Sequence, residues 1–376
     1  MNTILHISKY YYPDLGGIES VSRFLAENLV NYRNEVVCFA TDKSIGINYV
    51  GGVTVHRIPV QFSFMSQDVS FGYYHYLKKI FNATNPSMVI LHCPNPFLYP
   101  IVLSILPSNV KLVLLWHSDI LNKGFVYNLI KPFEKKIMNR ADHIIATSKS
   151  YAEHSVPLQS YNNKVRILQN TVNNQLFDPR PGDKKVIAKI RKRYDNKKIV
   201  FFVGRHIPYK GLDRLIEAEK YVKNDCVFVI AGIGPLTNTM MRKAANQPRI
   251  FFVGRLSDDD LRCHLYTADV FGFPSVNKAE AFGVALAEAM YCNAVPVTFT
   301  IMGSGVNWVS LNGVTGEEVP LDDVKAYAEA IDRLLSDDAL RVNYANAAHE
   351  RAETLFKEST VASLANDLFQ ELVDNK

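Results

Sequence analysis

The sequence predicts an α/β protein with two domains, each built around a mostly parallel β-sheet. The chain has 376 residues, which is too long for one ordinary hydrophobic core. In both halves, short β-branched and aromatic runs alternate with segments of helical spacing, and this alternation is typical of parallel sheets. A turn-rich segment with two prolines, residues 170–185, separates the two series.

The first series begins with a strand, a glycine turn and a helix. Thr3–Ile7 is a short apolar run, the chain then reaches Gly16-Gly17, and an amphipathic helix follows from Ile18 to Val30. This order is typical of the first unit of a nucleotide-binding domain. Further strands of the first half are expected at Val36–Ala40, Met88–Leu91, Val113–Trp116, His143–Ala146 and Val165–Leu168.

The second series follows the turn-rich segment. From Leu321 onward, the apolar spacing becomes helical. Its strands are expected at Ile199–Val203, Val227–Ala231, Ile250–Val253, Val270–Phe273 and Val295–Phe299. We therefore predict domains at 1–170 and 186–355, a linker at 171–185 and a C-terminal helix within 356–376.

Composition limits the class of protein. Apolar residues make up 48% and charged residues 21%, as in globular proteins. No stretch has the length of an apolar membrane span, and the first residues do not read as a signal peptide, so a cytoplasmic protein is expected. The five cysteines are scattered, which favours reduced thiols, and no Cys-x-x-Cys pair suggests zinc.

Basic residues are concentrated in the first half. Residues 1–180 contain 17 Lys and Arg against 11 Asp and Glu, whereas residues 181–376 contain 25 against 26. Two segments, 61–81 and 125–140, mix aromatic residues with lysines, among them Lys78 and Lys79. The pattern fits either attachment to an anionic membrane or the two faces of ordinary helices. Nucleic acid is not expected as a partner, because no binding motif is present.

Two glutamates flank the start of a helix that is expected after the strand Val270–Phe273. Glu280 lies in the loop, and Glu288 lies eight residues later, within the helix. Free N–H groups in the first helical turn favour an anion, and carboxylates can hold sugar hydroxyls, so the segment suits a nucleotide sugar. Either glutamate alone would also fit an ordinary loop or helix-edge position. The donor-binding candidates here are Glu280, Phe282, Gly283, Val284 and Glu288.

The segment E-A-F-G-V-A-L-A-E, residues 280–288, resembles the E-x7-E motif of the retaining family 4 glycosyltransferases. The resemblance extends over nearly the whole chain. It implies the GT-B fold, in which two Rossmann-like domains face each other and the active site lies in the interdomain cleft. It also implies that the C-terminal helix crosses back to the first domain, and that a nucleoside diphosphate sugar is a substrate with no cofactor.

Arg205 and Lys210 follow the first expected strand of the second half, in F-F-V-G-R-H-I-P-Y-K-G. Two cations at one strand end suit a diphosphate, with Arg as a planar fork and Lys as a point charge. The segment resembles the family's G-R-x-x-x-x-K-G pattern. The resemblance implies that both residues bind the donor phosphates and stabilise the departing nucleoside diphosphate.

Two further candidates lie in the first half. His117 ends the strand L-V-L-L-W, at the edge where α/β proteins bind ligands, although alone it would also fit a structural histidine. L-W-H-S-D resembles the family's strand-to-histidine segment, which implies a contact to the sugar and the acceptor. Gly16-Gly17-Ile18-Glu19 resembles the family's first glycine loop, which implies donor binding by Gly16 and Gly17. Glu19 could instead complement the helix dipole.

Three other segments carry residue types that occur in ligand or metal sites. Val253 ends a strand near the position where the family seats the nucleobase, through main-chain contacts as much as side-chain contacts. The turn A-G-I-G-P, residues 231–235, resembles a family turn and is expected to lead from strand to helix. Asp258–Asp260 follow Ser257, which predicts a helix N-cap with an acidic first turn instead of a metal site. No metal is expected.

The overall pattern resembles the GDP-mannose-dependent mannosyltransferases of O-antigen type. This implies a retaining α-mannosyltransferase that transfers mannose to a lipid-linked glycan of bacterial lipopolysaccharide, at the inner face of the cytoplasmic membrane. The residues expected to carry catalysis are His117, Arg205, Lys210 and Glu280. The alternatives are a UDP-sugar-dependent enzyme of the same fold, a non-transferring GT-B enzyme such as a phosphorylase or epimerase, and a sugar-nucleotide-binding protein.

Overall fold

The computed structural model describes residues 2–14, 16–40, 45–64, 67–120 and 124–374. The chain divides into two compact units. The first unit contains Met1–Gln169 and Val361–Lys376, and the second contains Asn170–Thr360. Each unit is built on its own large β-sheet, which confirms the predicted α/β class with two Rossmann-like domains.

The secondary structure alternates strands and helices along most of the chain. In chain order the strands are β1 Thr3–Ile7, β2 Arg33–Ala40, β3 Gly46–Val50, β4 Val53–Pro59, β5 Phe62–Phe64, β6 Gln67–Val69, β7 Met88–Cys93, β8 Lys111–Trp116, β9 His143–Ala146, β10 Val165–Ile167, β11 Lys198–Val203, β12 Cys226–Ala231, β13 Ile250–Gly254, β14 Val270–Phe273, β15 Val295–Phe299 and β16 Glu317–Val319. The helices are α1 Gly17–Asn28, α2 Tyr73–Thr84, α3 Tyr99–Ile105, α4 Gly124–Arg140, α5 Lys149–His154, α6 Asn174–Phe177, α7 Asp183–Arg193, α8 Leu212–Glu219, α9 Thr237–Lys243, α10 Asp258–Thr267, α11 Val284–Tyr291, α12 Val306–Val309, α13 Val324–Ser336, α14 Asp338–Leu355 and α15 Glu358–Asp374. Within the described ranges, no helix combines the length and the apolar character that a membrane crossing requires.

The sheet of the first unit has, within the described residues, eight strands in the order β10-β9-β8-β7-β1-β2-β4-β3. Neighbouring strands are parallel except β3 and β4, which form an antiparallel hairpin at one edge. The register pairs His6 of β1 with Ile90 of β7, and His92 of β7 with Leu115 of β8. The carboxyl ends of β1, β7 and β8 are therefore neighbours, and this is the edge at which parallel α/β sheets bind ligands.

The last helix, α15, packs on the first unit. Phe369 and Leu372 are fully buried in a core that also contains Ile4, Phe24 and Val113. Polar contacts also link this helix to the first unit. One of them is a hydrogen bond of 2.8 Å from the Asn366 side chain to the Asn28 carbonyl. The end of the chain thus completes the hydrophobic core of the unit in which the chain begins.

The sheet of the second unit has six parallel strands among the described residues, in the order β13-β12-β11-β14-β15-β16. β12 and β14 are fully buried, which explains their continuous apolar sequences. The strand order reverses between β11 and β14, and ligands of doubly wound sheets bind outside the carboxyl ends of the strands at such a reversal.

The segment predicted as a linker, 171–185, is an ordered part of the second unit. It contains α6 and the first turn of α7, and Phe177 is 3% exposed in the core. Asp183 forms a buried ion pair with Arg262, with 2.8 Å between their side-chain atoms. The turn-forming residues that suggested a linker instead begin and end short helices, and Asn173 serves as the N-cap of α6.

Candidate active site

Lys210 and Glu280 form an ion pair at the carboxyl end of the second sheet. Lys210 follows β11 and Glu280 follows β14, the two strands between which the sheet order reverses. The Nζ atom of Lys210 contacts Oε2 of Glu280, and the two side chains are only 13% and 9% exposed. The hydroxyl of Ser275 donates a second hydrogen bond to the same Glu280 oxygen, at 3.0 Å. The structure therefore brings two of the predicted site residues into direct contact.

The surroundings of Lys210 keep it charged. Its Nζ atom lies 5.2 Å from the ring centroid of Phe273 and 5.6 Å from that of Tyr209. Burial lowers the pKa of Lys210, but the opposing charge of Glu280, with smaller contributions from Tyr209 and Glu288, raises that pKa above its ordinary value overall. Lys210 is therefore a fixed cation at neutral pH.

Gly211 allows the Lys210 loop and the Glu280 loop to meet. Its φ is 62°, in the left-handed region that favours glycine, and it caps the start of α8. A Cβ atom on Gly211 would lie 1.9 Å from the main-chain oxygen of Pro274. The N–H of Val276 donates to the carbonyl of Tyr209 at 2.9 Å, which ties the same two loops together.

Arg205 lies in the same loop as Lys210 but differs from it in exposure and in ion pairing. Its side chain is exposed, and within the described ranges it forms no ion pair. The turn 231–235 supports this loop: a Cβ on Gly232 would lie 2.0 Å from the carbonyl oxygen of Gly204, and one on Gly234 would lie 2.5 Å from that of His206. The glycines of this turn thus permit close contact between two strand-end loops, besides leading into α9. The guanidinium of Arg205 remains accessible to a ligand.

Glu288 lies on α11, close enough to Lys210 for their charges to interact. Gly283 caps this helix with a φ of 93°, and Glu288 is partly buried in its second turn. Burial, with a smaller contribution from the charge of Asp258, raises the pKa of Glu288 to about 7 against the opposing effect of Lys210. Unlike Lys210, Glu288 therefore changes its protonation state near neutral pH.

Phe282 has a structural role that the sequence did not indicate. Its side chain is 2% exposed, and its ring centroid lies 5.4 Å from that of Phe356 and 6.1 Å from that of Trp308. A ligand could reach this residue only through its main chain. Val253 and Val284, two other predicted donor-binding residues, are partly buried.

The acidic run Asp258–Asp260 begins α10, as predicted. The Ser257 hydroxyl accepts a hydrogen bond of 3.1 Å from the N–H of Asp260, which is an N-cap contact. Asp259 pairs with Arg180 and Arg262 at 2.8 and 2.7 Å. In the part of the chain that the structure describes, no group of three or more His, Cys, Asp or Glu residues is arranged to hold a metal ion.

In the first unit, His117 follows β8 and contacts a second histidine. Its Nε2 atom lies 3.0 Å from Nδ1 of His92, and the two ring planes differ by 12°. His117 is partly buried, whereas His92 is 2% exposed. Burial lowers the pKa of His117 to about 4 and holds the pKa of His92 well below its ordinary value. Both rings are therefore neutral at pH 7.

Gly16 is the N-cap of α1 in the same unit, and Gly17 is the first residue of that helix. A Cβ on Gly16 would lie 2.2 Å from a carboxylate oxygen of Glu19, whereas one on Gly17 would meet open space. Glu19 therefore folds back over the start of its own helix, where a negative charge interacts favourably with the dipole. Gly17 is exposed and leaves the main chain of this loop accessible.

Two residues near the site were missed in the sequence. Ser275 contacts Glu280, and His92 contacts His117. A signal for His92 was present, because His6, His92 and His117 each lie at the carboxyl end of an expected strand. No comparable signal marks Ser275, because a serine after a proline is an ordinary loop residue.

Comparison with family models identifies both halves of the chain. Residues 15–176 match the model described as Glycosyltransferase Family 4, and residues 183–351 match the model described as Glycosyl transferases group 1. Together the two models span most of both structural units.

Proteins similar in sequence to this chain include two that are named as glycosyltransferases. D-rhamnosyltransferase WbpZ of Pseudomonas aeruginosa is 28% identical over 337 residues, which are 87% of this chain and 85% of that protein. O-antigen chain mannosyltransferase C of Escherichia coli is 27% identical over 379 residues, which are 99% of both proteins. Among solved structures, sucrose-phosphate synthase from Thermosynechococcus elongatus superposes with a TM-score of 0.82 over the full length of both chains, at 19% identity.

The two mostly parallel sheets and the two consecutive family models lead to one assignment. The structural likeness independently supports the fold, since the superposition covers both units. The chain belongs to the family 4 glycosyltransferases of the GT-B fold.

Proposed function

We propose that this glycosyltransferase transfers mannose, with retention of the anomeric configuration, from GDP-mannose to a glycan acceptor in bacterial O-antigen synthesis. The observation that carries the proposal is the Lys210–Glu280 ion pair at the strand reversal, with the exposed Arg205 in the same loop. The likeness to O-antigen chain mannosyltransferase C over 99% of this chain supports the choice of mannose and of the O-antigen.

Arg205 and Lys210 are the proposed ligands of the donor diphosphate. Arg205 offers an accessible planar guanidinium, and Lys210 offers a cation that Glu280 and Phe273 hold in place. Negative charge grows on the nucleoside diphosphate as its bond to the sugar breaks. Two fixed cations stabilise that charge most strongly in the transition state, which lowers the barrier.

Glu280 and Glu288 are the proposed ligands of the donor's hydroxyl groups. One Glu280 oxygen is occupied by Lys210 and Ser275, and the carboxylate can accept a sugar hydroxyl with its other oxygen. Glu288 is proposed to accept hydrogen bonds from the ribose diol. Main-chain groups of Gly283, Val284 and Val253 complete the proposed donor site in this unit.

The first unit is proposed to supply contacts to the sugar and the acceptor through His117, Gly16 and Gly17. The acceptor oxygen forms its bond to the anomeric carbon on the face from which the diphosphate leaves. The acceptor's hydroxyl proton passes to a phosphate oxygen of the leaving group, so the atoms balance without a protein base. His117, with a pKa near 4, acts in this scheme as a neutral hydrogen-bonding group. Arg205 and Lys210 neutralise the leaving group, so we expect no need for a metal or a cofactor.

A D-rhamnosyl donor is the second candidate, because D-rhamnosyltransferase WbpZ is about as similar to this chain as the mannosyltransferase is. A UDP-sugar donor, a non-transferring GT-B enzyme and a binding protein remain alternatives. Thermal-shift measurements with GDP, UDP and ADP and with their sugars separate the donors. A shift with GDP-mannose above that with the other sugars supports the proposal, whereas a preference for UDP-sugars contradicts the choice of base.

Transfer itself needs a second measurement. Mass spectrometry of reactions that contain GDP-mannose and mannose-terminated oligosaccharides should show products heavier by one hexose. Binding without any product, with all of these acceptors and with lipid-linked forms of them, would favour the sugar-nucleotide-binding protein.

A lipid-linked acceptor and peripheral attachment to the cytoplasmic face of the membrane are the remaining parts of the proposal. The five cysteines are buried and unpaired, as in proteins of a reducing compartment. In α4, Leu129 and Phe133 are 61% and 41% exposed beside three exposed lysines, which favours a basic and apolar contact surface.

A further inference from the structure

A row of three histidines crosses the carboxyl ends of three adjacent strands in the first unit. His6 lies on β1, His92 lies on β7 and His117 follows β8. The ring centroids are 6.1 Å apart between His6 and His92 and 5.3 Å apart between His92 and His117. His6 and His92 are 0% and 2% exposed, so only His117 can contact a ligand.

Asn34 determines where His6 carries its proton. The Asn34 amide nitrogen donates to the carbonyls of Leu29 and Tyr32 at 2.9 and 3.3 Å, which identifies its oxygen as the group that faces His6. This oxygen lies 3.1 Å from His6 Nε2 and needs a donor. Burial lowers the pKa of His6 to about 4, so the ring is neutral. His6 therefore has Nε2–H and a lone pair on Nδ1.

A single proton lies between His92 and His117. Both rings are neutral, so the contact of 3.0 Å between His92 Nδ1 and His117 Nε2 joins one N–H to one lone pair. The remaining nitrogen of His92, Nε2, is buried and has no hydrogen-bond partner within the described residues. The lone pair on His6 Nδ1 does not serve as that partner, because it too has none there.

Whether the unpartnered Nε2 of His92 carries a proton decides the direction of the hydrogen bond between His92 and His117. Among buried backbone groups, an N–H without an acceptor is rarer than a carbonyl without a donor, and we apply the same preference to the ring of His92. His92 is therefore more stable with a lone pair on Nε2 and its proton on Nδ1. It then donates to His117 Nε2, and His117 must carry its own proton on Nδ1.

We propose that His92 is a positioning residue that holds His117 in the tautomer with Nδ1–H, so that His117 presents a hydrogen-bond donor to a sugar oxygen. The nature of that ligand rests on the proposed function, whereas the tautomer does not. In this state His117 cannot accept a proton at Nδ1, and the acceptor hydroxyl must lose its proton elsewhere.

The tautomer is measured directly on the free protein. Long-range proton–nitrogen correlation spectra of histidine-labelled protein distinguish protonated from unprotonated ring nitrogens, and the His117→Asn variant identifies the signals of His117. We expect protonated Nδ1 and unprotonated Nε2 in His117 at pH 7. The opposite assignment, or rapid exchange between the two tautomers, would overturn the proposal whether or not the protein transfers sugar.

Variants of His92 test the consequence for transfer. His92→Leu removes the donor, whereas His92→Asn can place an amide N–H near the position of Nδ1. We expect His92→Leu to lower kcat/KM about threefold to tenfold and to mix the His117 tautomers, and we expect His92→Asn to restore most of both. His143→Leu is the matched control, because His143 is partly buried at the opposite end of the neighbouring strand β9.

The outcomes of these variants can be distinguished. Wild-type kcat/KM and an unmixed His117 tautomer in folded His92→Leu would contradict the positioning role. If His92→Leu does not fold, His92→Asn and the spectra of the wild-type protein still decide the tautomer. Absence of transfer in every variant and in the wild type would count against the proposed function alone.

Discussion

Arg205 and Lys210 carry the same charge in one loop but depend on their surroundings in different ways. Arg205 is exposed, whereas Lys210 neutralises a carboxylate that is itself only 9% exposed. Replacing Arg205 should therefore lower only the affinity for the ligand. Replacing Lys210 should lower both that affinity and the stability of the folded protein, because a buried carboxylate without its partner is costly.

The Arg205→Ala and Lys210→Ala variants test this difference. Each should lower the affinity for a nucleoside diphosphate by about one to two decades, since a hydrogen bond to a charged group contributes about 1.5–3 kcal/mol. Only Lys210→Ala should also lower the melting temperature. Titration calorimetry and differential scanning calorimetry measure the two effects. Lys220→Ala, at the opposite end of α8, is the control, and wild-type affinity in both test variants would refute the phosphate-binding assignment.

Glu288 should make stability depend on pH in a defined direction. Its pKa is about 7 in the folded protein against an ordinary value of 4.5, so between these values the folded state binds more protons than the unfolded state. The contribution of Glu288 to stability therefore falls as pH rises from 4.5 and is fully lost above pH 7.

The Glu288→Gln variant isolates this contribution. The variant minus wild-type difference in melting temperature should be more positive at pH 8 than at pH 5, while nucleotide affinity at pH 8 should fall. Glu217→Gln, on α8, is the control. A temperature difference that does not change with pH would mean that Glu288 is ionised throughout this range.

The sequence indicated the strand ends that carry Lys210 and Glu280 but not their contact. The two residues are 70 positions apart, and they meet because β11 and β14 are neighbours in the sheet although two strands separate them in sequence. His92 and His117 follow from the simpler case, because β7 and β8 are neighbours both in the sheet and in sequence. Which strands pair is decided by packing of the whole sheet, which a local sequence pattern does not contain.

At the scale of elements, the proposed membrane attachment rests on the surfaces of α2 and α4. In α2, Tyr73 and Leu77 are buried, whereas Lys78 and Lys79 are exposed, as in an ordinary amphipathic helix. In α4, the exposed Leu129 and Phe133 accompany Lys131, Lys135 and Lys136. Two aromatic residues of the predicted segments 61–81 and 125–140, Phe64 and Phe125, have side chains outside the described ones.

We expect wild-type protein to sediment with anionic vesicles at low salt and to be released as salt increases. Each lysine near such a surface contributes about 1 kcal/mol, and exposed charges are screened over about 10 Å at 0.1 M salt. Replacing Lys131, Lys135 and Lys136 with Glu should weaken the association most, and replacing Lys78 and Lys79 should weaken it less. Replacing Lys184 and Lys185 is the control. Wild-type protein that stays in solution at low salt would point to an acceptor that is not membrane-bound.

The helix α15 should stabilise the unit that contains the start of the chain. Phe369 is fully buried, so Phe369→Ala should cost about 3–5 kcal/mol of unfolding free energy in the first unit. The chain has two tryptophans, and Trp116 is buried in that unit, so its fluorescence in a Trp308→Phe background reports on it. Leu364→Ala, 44% exposed on the same helix, should change stability little. Equal stability of the two variants would contradict this packing.

The elements differ in how well their sequences predict them. β14 and β15 begin and end where they were expected, because fully buried parallel strands have continuous apolar sequences. The hairpin β3–β4 and the short strands β5 and β6 were missed. β3 lies at an edge, where exposed positions carry residues such as Tyr49, 76% exposed, and the apolar pattern is lost. The residues predicted as a linker, 171–185, cap and form short helices for a related reason, because helix caps and linkers use the same residue types.

At the scale of the whole molecule, the sequence divides the proposed chemistry between two units. The second unit carries the proposed phosphate and hydroxyl ligands, and the first unit carries His117 and the exposed glycine loop. This division follows from the two α/β series and was predictable from the alternation of apolar runs. The donor sugar is not predictable in this way, because one fold accommodates many substrates.

The most direct test of the central claim is a proton NMR time course of wild-type protein with GDP-mannose and a mannose-terminated oligosaccharide, in excess EDTA. The account predicts that the α-anomeric signal of the donor decreases while a new α-mannosyl signal and GDP appear together. The Lys210→Ala variant should form product far more slowly under the same conditions. A β-linked first product would contradict retention, and activity that requires added Mn²⁺ or Mg²⁺ would contradict the role given to Arg205 and Lys210. An unchanged GDP-mannose spectrum, with transfer from a UDP-sugar in its place, would contradict the assignment of the donor.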